Sequence, residues 1–89
     1  MGDDPASARR KKLLFRAWHR GTREADLLLG PFADRHLDGF DAGQLERFEA
    51  LLERRDDEIY DWVAGLAEPD PAIRTDVVEL LLQFSNANP

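Results

Sequence analysis

Apolar side chains in this chain recur every three or four residues, in five successive runs, and almost never in strict alternation. That spacing lines one face of a helix and not of a strand, so it restricts the fold to the all-α class before any other feature is considered. Each run is closed by a glycine, a proline or a short polar residue that can cap a helix. The result expected is a compact bundle of five short helices joined by connections of a few residues, with sequence neighbours packed antiparallel.

The first helix is expected from Ala8 to Arg20, with Leu13, Leu14, Ala17 and Trp18 as its stripe and Gly21 as the C′ glycine that ends it. Thr22 is an N-cap for the second, whose first turn holds Glu24 where the helix dipole favours a carboxylate. Its apolar set is Ala25, Leu27, Leu28, Leu29, Phe32, Ala33 and Leu37, interrupted by Gly30-Pro31, where a kink or a fresh first turn is expected. Asp41 with Gln44 forms a capping box for the third helix, which carries Leu45, Phe48, Leu51 and Leu52. Asp56 or Asp57 caps the fourth, with Ile59, Tyr60, Trp62, Val63 and Leu66 apolar and Gly65 near its end. Asp70 and Pro71 open the fifth, which runs to Phe84. The nine residues expected to meet in one core are Leu14, Trp18, Leu28, Phe32, Phe48, Leu52, Val63, Val77 and Leu81. Residues 1–8 read as a disordered arm, 9–84 as one domain and 85–89 as a frayed tail.

At 89 residues the chain can build one modest core. It has no cysteine, which removes disulfides, thiol chemistry and cysteine zinc sites. No apolar run reaches the length of a membrane span, and the first twelve residues lack the apolar segment of a signal peptide, so membrane insertion is not expected and a cytoplasmic setting is. Charge is segregated within a formal net of -6: residues 9–23 hold seven Arg or Lys and no acid, whereas residues 24–89 hold five basic and sixteen acidic residues. An acidic body repels phosphate backbones, so nucleic acid is a poor partner despite Arg9, Arg10, Lys11 and Lys12.

Catalytic constellations are missing. His19 and His36 have no metal-ligand spacing, and no glycine-rich loop follows a strand. Asp56, Asp57, Glu58 and Asp61 crowd together, but without the alternating oxygen ligands and turn glycine of a calcium loop; they read as a cap and a solvated first turn. The densest cluster of chemistry is HRGTREAD, residues 19–26. Its plain reading is a helix end, a tight turn and an N-cap. The same geometry also makes a docking corner, because arginine offers a rigid fork to carbonyls or carboxylates and glycine lets another chain approach closely. A docking corner fits a client-specific factor or a generic protein-interaction adaptor, and either is better supported than an enzyme.

The segment Arg20-Gly21-Thr22-Arg23-Glu24, followed by Asp26, resembles the Arg-Gly-x-x-Glu motif of the succinate dehydrogenase assembly factors, the small flavinylation factors of bacteria and mitochondria. KLLFRAW, LLLGPFADRHL and FEALLERRDDEIYDWVAG are similar to the same family, so the resemblance extends from about Arg9 to Leu82. It implies a five-helix bundle; the free chain is expected to be a monomer. It implies binding to the flavoprotein subunit of succinate dehydrogenase, and in some bacteria of fumarate reductase, to promote covalent attachment of FAD to a histidine there. The resemblance assigns the chain no catalytic residue, metal or cofactor of its own; the FAD is the client's. Carried over to this sequence, the motif places Arg20, Gly21 and Glu24 in the client contact, with Arg16, Arg23 and Asp26 beside them. Trp62 reads as mostly core and the acids near Asp57 as cap or rim. Ala25 departs from the pattern, since relatives often carry a larger apolar residue there. The short arm with Asp3 and Asp4 is unlike an import peptide, and favours a bacterial protein.

Overall fold

A computed structural model, which describes residues 5–87, contains five α-helices: α1 (Pro5–Trp18), α2 (Arg23–His36), α3 (Ala42–Leu52), α4 (Asp56–Ala64) and α5 (Asp76–Ala87). A single 3-10 turn spans Leu37–Gly39, and the described residues include no strand. The all-α reading of the periodicity is therefore correct. Several ends are set by the side chains expected. Thr22 Oγ1 accepts the Ala25 N–H at 3.3 Å, and Asp41 and Gln44 exchange bonds of 2.8 and 3.1 Å in a complete capping box. Gly65 closes α4 in the left-handed region at φ 77°.

Other boundaries differ from the sequence reading, each for a local reason. Pro5 occupies the first position of α1, where its missing N–H costs nothing, so Pro5–Ala8 are helical and not part of an arm. Met1–Asp4 lie outside the described residues. The helix stops at Trp18, two residues early, which moves Gly21 from the helix end into the following turn. At the fourth helix neither Asp56 nor Asp57 is the N-cap. Arg55 stands there, and its backbone N–H donates to Glu58 Oε1 at 3.4 Å. At the fifth, Asp70-Pro71 opens only one turn, in which the Asp70 carbonyl accepts from Ile73 and Arg74. The helix proper starts at Asp76, after Thr75 has accepted the Glu79 N–H on its carbonyl and the Val78 N–H on its hydroxyl. It continues through Ser85–Ala87, which the sequence reading left to a frayed tail; Asn88 and Pro89 are outside the described residues. Arg47 Nε, 2.7 Å from Asp76 Oδ1, ties this start to α3 and holds the Asp76 carboxyl below its ordinary pKa.

At Gly30-Pro31 no fresh first turn forms: α2 runs on through Pro31 without a break. Proline forfeits one hydrogen bond, but Leu29, Gly30, Phe32 and Ala33 are all buried around it, and that packing keeps the turn helical. Gly30 has its own task. A Cβ there would lie 2.3 Å from Trp18 Cδ2 and 2.5 Å from Cε2, so the indole of α1 rests directly on the backbone of α2. Gly30→Ala gains helix propensity but must push the indole off the seam between the two most extensively packed helices. The clash outweighs the gain, and a net destabilisation of about 1–2 kcal/mol is expected in chemical denaturation. Equal or greater stability would show that the indole does not sit on Gly30.

The core centres on Phe32 and Phe48, both fully buried with ring centroids 5.8 Å apart, and Phe40 joins both. Of the nine residues expected inside, Phe32, Phe48, Leu52, Val77 and Leu81 are buried, and Leu14 and Leu28 pack partly buried against them. Trp18 and Val63 are only half-buried. Leu13 and Ala17 take the inward positions on α1, while Trp18 covers the seam and its Nε1 donates to Asp34 Oδ1 at 3.3 Å. Nearest-neighbour packing holds for α1 with α2 and α4 with α5, but α3 pairs chiefly with α5 and α1. Ion pairs from the basic first helix border the latter contact. Arg9 reaches Glu49 at 2.8 Å, and Arg16 reaches Glu53 at 3.0 Å and Glu49 at 3.7 Å. Arg10 donates to the Leu37 and Phe40 carbonyls.

Candidate functional site

The connection between α1 and α2 is four residues, His19 to Thr22, and it turns at Gly21 with φ 107°. A side chain has open space at that position but rarely adopts that backbone, so glycine is required by conformation and not by crowding. Asp26, one turn into α2, reaches back and accepts the Arg20 backbone N–H on Oδ1 at 2.7 Å. That bond closes the turn across Gly21, so Asp26 fixes its shape.

Arg20 does more, and points inward. Its guanidinium is 11% exposed and makes three bonds: Nε to Asp56 Oδ1 at 2.8 Å, Nη1 to the Leu52 carbonyl at 2.6 Å, and Nη2 to the Arg54 carbonyl at 2.8 Å. The last carbonyls of a helix lack intrahelical partners and carry the negative end of its dipole. Arg20 therefore caps α3 from another part of the chain and ties it to the first residue of α4. One side chain joins the α1–α2 turn to the α3–α4 connection.

With Arg20 and Asp26 turned to this work, the outer surface of the corner belongs to Gly21, Thr22, Arg23 and Glu24, all exposed. The Arg23 and Glu24 side chains make no hydrogen bond or ion pair among the described residues. Arg16 is one-third exposed, on the neighbouring face of α1, with its charge shared by Glu49 and Glu53. The six residues singled out in the sequence thus divide: Gly21, Arg23 and Glu24 face outward, Arg20 and Asp26 brace them from behind, and Arg16 borders them.

Three large apolar side chains beside the corner are exposed. Leu27 is 54% exposed and Tyr60 53%, although both fell within expected apolar sets, and Phe15 is 63% exposed with its ring stacked on His19 at 3.9 Å. Leu27, Trp18, His19 and Gly21 line a shallow hollow of about 550 Å³ over the turn. Phe15 could have been found from the sequence, because it falls off the face set by Leu13 and Ala17. Trp62 is buried, with the Arg54 guanidinium 5.9 Å above its ring, and Asp57 is an exposed partner of Arg55 at 2.7 Å. Among the described residues no group of three or more His, Asp or Glu side chains converges as a metal site.

Comparison with known proteins places this corner in a wider context. Residues 11–85 match the family described as flavinator of succinate dehydrogenase. The chain is 43% identical over 65 residues to the FAD assembly factor of Acetobacter pasteurianus, which covers 73% of this chain and 60% of that relative. It is 35% identical to the mitochondrial succinate dehydrogenase assembly factor 2 of Drosophila grimshawi, over 91% of this chain and 56% of the relative. The mitochondrial factor of the same name from Dictyostelium discoideum is also 35% identical, over 90% of this chain and 57% of its own length. The chain thus spans somewhat over half the length of these relatives. The matched span takes in all of the fold but the first turns of α1 and the last two residues of α5, it includes the whole corner, and on that basis the chain belongs to the flavinator of succinate dehydrogenase family.

Proposed function

We propose that the chain binds the flavoprotein subunit of succinate dehydrogenase through the corner at residues 19–26 and promotes covalent attachment of FAD to that subunit. The observation that carries this reading is the surface of Gly21, Arg23 and Glu24: exposed, without partners among the described residues, and braced by Arg20 and Asp26. The relatives named as a FAD assembly factor and as succinate dehydrogenase assembly factors support it. The match to a bacterial relative, 43% identical over 65 residues, supports a bacterial setting.

In this reading the client's backbone approaches over Gly21, where no side chain holds it away. Glu24 accepts hydrogen bonds from client donors, and Arg23 offers its fork to client carbonyls or carboxylates. Because the turn is already fixed, little ordering entropy is lost on docking. The FAD belongs to the client, and the chain supplies no catalytic group or cofactor. It holds the client's domains in the arrangement in which the client's own groups form the bond. The free chain is a monomer, and the flavoprotein subunit of fumarate reductase is a second client.

The test is co-expression with the host's succinate dehydrogenase flavoprotein subunit, followed by denaturation and measurement of protein-bound flavin fluorescence. The expected outcome is a clear gain in covalent flavin when the chain is present and FAD is limiting. Equal loading with and without the chain would refute the proposal.

A further inference from the structure

On the far side of Glu24, α2 and α4 leave a groove of about 500 Å³. Buried Ala25, Leu29 and Ile59 and half-buried Leu28 form its floor. Its rim carries the exposed ring of Tyr60 and the carboxylates of Glu24, Asp56, Asp57 and Asp61. Arginine answers two of those charges, with Arg20 on Asp56 at 2.8 Å and Arg55 on Asp57 at 2.7 Å. The side chains of Glu24 and Asp61 have no hydrogen bond or ion pair among the described residues. The groove is therefore apolar at its base and carries uncompensated negative charge at its edge.

We infer that this groove is a second contact for the client and takes a client segment bearing one large apolar side chain flanked by lysine or arginine. The inference rests on the proposed function, since it takes the flavoprotein subunit to be what docks at the adjoining corner. Thr22 and Glu24 belong to both surfaces, so a chain lying over Gly21 continues into the groove without a gap. An apolar side chain covers the floor and removes it from water. A neighbouring cation compensates Glu24 and Asp61, whereas an acidic segment would face repulsion there, so the rim selects as well as attracts. The basic helix of a second copy presents Lys11 and Lys12, exposed beside Phe15, while its Arg9, Arg10 and Arg16 are already held by Glu49, by the Leu37 and Phe40 carbonyls and by Glu53. The client is preferred because a segment docked over Gly21 already lies beside the groove.

The test measures the dissociation constant of the full chain for the purified flavoprotein subunit in dilute and in concentrated salt. The variants are Asp61→Lys and Tyr60→Ala, with Glu24→Ala alongside. Asp61→Lys is expected to weaken binding about tenfold in dilute salt and distinctly less in concentrated salt. Tyr60→Ala is expected to weaken it about tenfold at both, because it removes apolar contact and no charge. Both should unfold close to the wild-type midpoint, since Tyr60 is exposed and the half-buried Asp61 side chain has no partner among the described residues. If the wild type binds, Glu24→Ala is impaired and both groove variants bind as the wild type does, the groove assignment is wrong and the corner reading stands. If the wild type does not bind at all, the proposed function fails and takes the groove with it. A concentration-dependent dimer in sedimentation that Asp61→Lys abolishes would give the groove to a second copy, and would also overturn the assignment.

Discussion

Arg20→Ala is expected to lower the unfolding free energy by about 2–3 kcal/mol, which for a domain of this size lowers the thermal midpoint by about 10–20 °C. The guanidinium is nearly enclosed and bonds one carboxylate and two carbonyls, each contact charge-assisted. Removing it leaves Asp56 with an uncompensated, three-quarters-buried charge and returns the Leu52 carbonyl to the state of an uncapped helix end. Partial solvent access at Asp56 keeps the loss below that of a fully buried pair. Arg20→Lys keeps the charge but not the fork, so it should recover only part of the stability. Urea unfolding of the three proteins checks this. A change under about 1 kcal/mol for Arg20→Ala would mean that the side chain is not anchored between α3 and α4. Because the same side chain braces the corner, the alanine variant should, under the proposed function, also support flavin attachment poorly, through a loosened scaffold and not through a lost contact.

Arg20 also marks where reading the sequence stops. Interactions spanning one helical turn were legible: the Thr22 cap, the Asp41–Gln44 box, the end of α4 at Gly65 and the periodic stripes that fix an all-α fold. Each depends on residues three or four apart, and local spacing encodes them. Arg20 meets Leu52, Arg54 and Asp56 across more than thirty residues of chain, and nothing in local spacing marks an arginine as a cap for a distant helix. Gly30-Pro31 misleads for the same reason. Locally it reads as an interruption; the buried residues around it explain why the helix goes on, and the indole of Trp18 lying against it explains why a glycine is there. The pairing of α3 with α1 was written as charge segregation, in the basic run at 9–23 and the acids beyond it, but the specific partners Glu49 and Glu53 became visible only in three dimensions. At the corner, closeness along the chain puts Arg20, Gly21, Arg23, Glu24 and Asp26 together. It did not separate those that face outward from those that hold the turn.

That separation makes Glu24 the position where docking and folding come apart. Glu24 sits in the first turn of α2 with no side-chain partner among the described residues, so Glu24→Ala forfeits only its favourable position at the helix dipole, about 0.3–1 kcal/mol. Gly21→Arg is less informative, because at φ 107° it strains the turn and blocks the approach together. The direct measurement is covalent flavin on the proposed client, the succinate dehydrogenase flavoprotein subunit, co-expressed with either the wild-type chain or Glu24→Ala under limiting FAD, with thermal unfolding of each purified factor beside it. The account predicts a nearly unchanged unfolding midpoint and about a tenfold loss of covalent flavin. Full flavin loading by a normally folded Glu24→Ala variant would contradict it, and would reduce the corner to a hinge between two helices.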